Sequence, residues 1–201
     1  MSVHLVGNSH VRHLANFISQ MEDSKLDDIA PWQSFAVSGL RSLQLLPRSN
    51  YHDIHVNQVA NNFAQYMANM EESDSVVLFI GDNDLNDEED DSEVVAWRLI
   101  ALASLFKKQA RAKAVTLHQL LPRYVGARGD IDCYNAKASL VNSILKTNCK
   151  RFGLHFLESG FKFPGGGTEM EATLVTVPAA CTSTLMGCTC PPLGIKNWLI
   201  I

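Results

Sequence analysis

The sequence has no large excess of charge of either sign and no recognisable export signal. Its 201 residues carry 17 Lys and Arg against 21 Asp and Glu, which gives a net charge of −4. This balance excludes a nucleic-acid surface built on bulk positive charge. The first residues lack a basic stretch followed by a long apolar run. We therefore expect no signal peptide and a cytoplasmic location.

The cysteines form no CxxC pair of the kind that binds metal. The five cysteines are Cys133, Cys149, Cys181, Cys188 and Cys190. An odd number without an export signal predicts reduced thiols. The last three lack both a CxxC pair and a nearby His, which argues against zinc. No metal or cofactor is expected.

A long uncharged stretch at 172–195 is the only segment that resembles a membrane span. It contains Pro178, Pro191 and Pro192 and several Ser and Thr. Hydrocarbon is a poor environment for such a segment, because a span needs about 20 predominantly apolar residues. No membrane association is expected.

Short apolar runs alternate with helical stripes over residues 1–160. Runs typical of strands lie at 3–6, 32–37, 75–80, 114–121 and 154–157, and apolar residues at helical spacing separate them. The connections are long enough for parallel pairing. The pattern predicts a three-layer α/β/α sandwich with a five-stranded parallel sheet.

The pattern stops near Phe161. Residues 161–201 contain three consecutive glycines and only four charged residues: Lys162, Glu169, Glu171 and Lys196. We expect an atypical, irregular tail. If it replaces a final helix, one face of the sheet is left exposed, and a protein partner could cover it.

Three of the predicted strands end in residues that can do chemistry. The first ends in Gly7-Asn8-Ser9-His10, the second in Ser38-Gly39-Leu40 and the third in Gly81-Asp82-Asn83-Asp84. In an open parallel sheet, functional groups collect at the carboxyl ends of the strands. Singly, each has a structural explanation: Ser9 as a helix cap, Gly39 as a turn residue and Asn83 in a left-handed turn.

Together the three motifs resemble those of the SGNH (GDSL-type) hydrolases, most closely the variant that opens with Gly-Asp-Ser-His. The resemblance covers residues 1–160 and implies a flavodoxin-like fold and an esterase for carboxylic or acetyl esters. It implies Ser9 as the nucleophile. It also implies an oxyanion hole made by the N–H groups of Ser9 and Gly39 and the amide of Asn83. His10, Asp84 and His118 are expected to contact the substrate.

The sequence departs from the family where the base should be. In the family, an Asp-x-x-His block after the fifth strand supplies the base and its partner. Here no His follows His155 and no Asp follows Asp132. The family's Asp before the nucleophile is Asn8. The resemblance therefore implies an inactive or weakly active esterase. The alternative is a non-catalytic binding module that uses the same pocket. A C-terminal segment from another exon or a shifted frame would account for the missing block.

Other histidines and charged runs offer no clear replacement. His10 follows Ser9 directly, so their side chains should diverge on a helix, and nothing in the sequence places His13 or His118 against Ser9. The acidic run from Asp82 to Asp91, together with Glu93, has the spacing of a calcium loop but lacks its central Gly. An acidic helix start explains the run better. The basic cluster around 107–113 fits a helix C-terminus, and no nucleic acid is expected.

Overall fold

The five predicted strands form one parallel sheet in the order β2-β1-β3-β4-β5. The computed structural model describes residues 2–20, 31–46, 54–86, 91–123 and 130–159, which lie within one compact unit, Met1–Pro164. The strands are β1 (Val3–Gly7), β2 (Trp32–Ala36), β3 (Ser75–Phe79), β4 (Ala114–His118) and β5 (His155–Leu157). The predicted α/β fold with a five-stranded parallel sheet is confirmed. The expected irregular tail at 161–201 lies outside the described residues.

Four helices connect the strands in the described part of the chain. They are α1 (Ser9–Ser19), α2 (Ile54–Ala68), α3 (Ser92–Lys108) and α4 (Ile131–Asn148). Asn8, Asp91 and Asp130 cap α1, α3 and α4, because each side chain accepts a hydrogen bond from a first-turn N–H. Lys107 and Lys108 lie in the last turn of α3, where cations stabilise the helix dipole.

The two faces of the sheet carry separate apolar clusters. Alternate residues of β3 point to opposite faces, so Val76 and Leu78 join the larger cluster and Val77 joins the smaller one. Side chains from α2, α3 and α4, among them Phe63, Leu99 and Val141, build the larger cluster. The smaller cluster contains Val11 and Ile18 of α1. Helices therefore flank the sheet on both faces. The expected protein partner on an exposed sheet face stays a prediction.

A buried polar cluster joins the amino ends of β1 and β3. His4 lies between Asp74 and Tyr66: its Nε2 is 3.0 Å from Asp74 Oδ2, and its Nδ1 is 2.8 Å from the Tyr66 hydroxyl. Burial would raise the pKa of the Asp74 carboxyl, but hydrogen bonds from the N–H groups of Glu71 and Ser2 and from His4 outweigh it and hold the pKa below its usual value. Burial and the Asp74 carboxylate raise the pKa of Tyr66.

Membrane insertion finds no support in the described ranges. None of their helices combines the length and the apolar character that crossing a bilayer requires. The uncharged stretch at 172–195 lies outside these ranges, so the expectation about it stays a prediction.

Candidate active site

The three motif-bearing loops leave adjacent strands at the same edge of the sheet. The Val37 N–H donates to the Gly7 carbonyl at 3.1 Å, and the Asn8 N–H donates to the Phe79 carbonyl at 3.2 Å. A side chain at position 7 would collide with the Phe79 carbonyl oxygen. Glycine at the end of β1 is therefore required by the close approach of β3.

Ser9 is the first residue of α1, and Asn8 is its cap. The Asn8 side-chain oxygen accepts a hydrogen bond from the His10 N–H at 2.9 Å. The suggestion that Ser9 merely caps the helix is therefore wrong. Ser9 is half-buried and lies at the amino end of α1, where the helix dipole favours nearby negative charge.

Gly39 and Asn83 lie on loops that are hydrogen-bonded to each other. Asn83 Nδ2 donates to the Leu40 carbonyl at 3.1 Å, and an amide nitrogen has a second N–H to offer. Gly39 has a φ of +71°, which glycine adopts without strain, and a Cβ there would meet no neighbouring atom. Backbone conformation, rather than a lack of space, therefore favours glycine at position 39.

Asp84 fixes the same two loops from inside the protein. Its side chain is fully buried and accepts hydrogen bonds from the Ser42 hydroxyl at 2.6 Å and the Ser42 N–H at 2.9 Å. As placed, Asp84 acts on the site through the loop that it holds, and its contact with a substrate stays a prediction.

His118 lines a recess beside this edge together with His10 and Asp82. The His118 ring stacks on Phe79 with centroids 4.4 Å apart, and Nδ1 lies 2.6 Å from the Gln119 carbonyl. Burial lowers the pKa of His118 to about 4, so the ring is neutral at pH 7. Because a carbonyl only accepts, Nδ1 carries the proton.

Solved structures show which fold this arrangement belongs to. A protein of Bacteroides fragilis assigned as an acylhydrolase superposes with a TM-score of 0.53 at 19% identity over 78% of this chain and 66% of its own. A protein of Parabacteroides merdae assigned as a GDSL-like lipase gives 0.54 at 13% identity over 77% of this chain and 75% of its own. The chain has the SGNH hydrolase fold. It spans about two thirds to three quarters of the length of these proteins. No family model and no curated protein matches the sequence.

Sequence reasoning missed the part that Asp82 plays at this edge of the sheet. Asn8 stands where the family has Asp, and its Nδ2 donates to Asp82 Oδ2 at 3.0 Å. The Tyr134 hydroxyl donates to the other oxygen of Asp82 at 3.0 Å. Burial, followed by the Asp82 carboxylate, raises the pKa of Tyr134. The sequence contained a hint of this contact: an Asp precedes Asn83, and an Asn, the amide of Asp, stands at position 8.

Residues 161–201 contain neither Asp nor His, so the Asp-x-x-His block that the resemblance implies is absent from them. In the described ranges, no three His, Cys, Asp or Glu side chains cluster as metal ligands would. The calcium-loop spacing falls partly on residues 87–90, which lie outside those ranges. Its first and third positions, Asp82 and Asp84, bind protein groups instead.

Proposed function

We propose that this SGNH-fold domain carries an ester-hydrolase site for carboxylic or acetyl esters that turns over slowly. Ser9 is the nucleophile. The N–H groups of Ser9 and Gly39 and the Asn83 amide stabilise the oxyanion. The observation that carries the proposal is the hydrogen bond from Asn83 to the Leu40 carbonyl, which ties together two loops bearing oxyanion donors.

The expected rate follows from what the site has and what it lacks. Each oxyanion donor typically contributes about 10²–10³ in rate. Where a triad is incomplete, the remaining hole and binding groups have left about 10³–10⁴ over water. A site with donors but no C-terminal base should therefore hydrolyse only activated esters at a measurable rate.

Hydrolysis of p-nitrophenyl acetate by the full chain tests the proposal. We expect slow turnover that falls to the buffer rate in Ser9→Ala and drops about 10²-fold in Asn83→Ala. Asn86→Ala is the matched control, because Asn86 is exposed, lies three residues from Asn83 and carries no assigned role. Turnover that is unchanged in both Ser9→Ala and Asn83→Ala would overturn the proposal.

A non-catalytic binding module is the second candidate. It is favoured by the absence of any Asp after 132 and any His after 155. It predicts that an acetamide analogue of the ester binds the parent and Ser9→Ala equally and that no ester turns over. Turnover that depends on Ser9 would exclude this candidate.

A further inference from the structure

A histidine and a carboxylate face each other next to Ser9. His10 Nε2 lies 4.0 Å from Asp82 Oδ2, and the His10 side chain is 52% exposed. Asp82 is held from two sides, by the Asn8 amide and the Tyr134 hydroxyl. The carboxylate is therefore fixed, and the imidazole can move the short distance that a direct hydrogen bond requires.

The chain places this pair beside the oxyanion donors. His10 follows Ser9, and Asp82 precedes Asn83. Consecutive Cα atoms are about 3.8 Å apart. His10 and Asp82 are therefore each the chain neighbour of a residue to which we assign an oxyanion donor.

Ser9 and His10 cannot exchange a proton directly, because consecutive residues on a helix do not face each other. His10 and Asp82 line a recess that has room for about one water molecule. A base can act through a single intervening water.

We propose that His10, positioned by Asp82, is the general base of this site and receives the Ser9 proton through one water molecule. The inference rests on the proposed function. The Nε2–H faces Asp82, since a carboxylate only accepts, and Nδ1 takes the proton.

The acylation step balances within these groups. The Ser9 oxygen forms a bond to the ester carbonyl carbon, the carbonyl electron pair moves to the oxyanion, and the Ser9 proton passes through water to His10. The oxyanion then collapses, the bond to the alcohol oxygen breaks, and His10 returns the proton to that oxygen. Attack by a second water, assisted by His10, releases the acid and restores Ser9.

His118 is the other titratable group that faces His10, and it does not compete for this role. The two rings interact electrostatically. His118 is only 3% exposed, and its Nδ1–H is directed to the Gln119 carbonyl. Because His118 is neutral at pH 7, the charged groups nearest to His10 are the Asp82 carboxylate and Arg123, whose guanidinium lies 3.5 Å from the Asp82 backbone carbonyl.

Labelling of the full chain with a fluorophosphonate tests the assignment without requiring ester turnover. The Ser9 oxygen bonds to phosphorus, fluoride leaves, and the proton goes to the base. We expect His10→Gln to slow labelling by about 10²-fold. His13→Gln, an exposed position on the same helix, should label at the parent rate, and Ser9→Ala should not label.

The pH profile separates a base from a structural residue. Labelling of the parent should slow on acidification, because a protonated imidazole cannot accept a proton, and His10→Gln should lose this dependence. Disrupted folding alone would not remove the pH dependence, and thermal denaturation of each variant gives the check.

Two outcomes would overturn the inference: Ser9 of the parent failing to label, or His10→Gln labelling at the parent rate. The second is distinguishable from failure of the proposed function. In that case ester turnover still depends on Ser9 and Asn83 while His10→Gln is as active as the parent.

Discussion

Replacing Asn8 by aspartate would restore the residue typical of the SGNH family, yet we expect it to destabilise this protein. Asn8 Nδ2 donates to Asp82 Oδ2 at 3.0 Å, and the two residues are only 2% and 9% exposed. Asn8→Asp converts this hydrogen bond into two facing carboxylates. Neither can turn into bulk water without leaving its place in the site.

The two carboxylates can either both stay ionised and repel each other, or one of them can be protonated. The alternative with the lower free-energy cost sets the size of the destabilisation. Two unit charges at this separation repel by about 5 kcal/mol at an effective dielectric constant of 20. Protonating one Asp at pH 7, roughly three pH units above its ordinary pKa, costs about 4 kcal/mol. The free energy of unfolding should therefore fall by up to about 4 kcal/mol at pH 7.

Urea denaturation as a function of pH measures the effect, with the parent as reference at each pH. A close carboxylate pair raises the pKa at which one of its members protonates, so the variant's deficit grows as pH rises and shrinks as pH falls. The combined variant Asn8→Asp with Asp82→Asn exchanges donor and acceptor and should recover most of the loss. The reasoning is refuted if Asn8→Asp is as stable as the parent at pH 7, or if the exchange recovers nothing.

Three further changes test other parts of the structure. Asp74→Asn should cost about 1.5–3 kcal/mol at neutral pH. Because the folded-state pKa of Asp74 is lowered, its contribution is complete above the unfolded pKa and disappears as pH falls through the folded one; urea curves that differ equally at all pH values would contradict this. Gly39→Ala should cost about 1–2 kcal/mol in thermal denaturation, since φ is +71°, whereas an unchanged Tm would mean that the turn relaxes. Burial raises the pKa of Cys149 to about 11, so peptide mapping after iodoacetamide treatment at pH 8 should show Cys149 reacting far more slowly than the exposed Cys133; equal rates would be incompatible with a buried thiol.

The local patterns of the sequence predicted the elements well. Unbroken apolar runs such as Val76–Leu78 identify strands covered on both faces. The boundaries were less exact: the predicted strand at 114–121 ends at His118. Beyond that residue the chain turns to pair with other groups, as when the Leu120 N–H donates to the Asn142 side chain at 2.8 Å. Nothing within a few residues indicates such a distant partner.

By itself, then, the sequence determined the α/β order and the three polar strand ends, because hydrophobic periodicity and glycine positions are local properties. Only the tertiary structure decided what those ends do. It made Asn8 rather than Ser9 the cap of α1, buried Asp84 against Ser42, and brought Asp82 to within hydrogen-bond distance of a residue 74 positions away. The physical reason is that β1 and β3 become neighbours only when the sheet assembles. The chemistry of their ends is therefore a product of strand order and register.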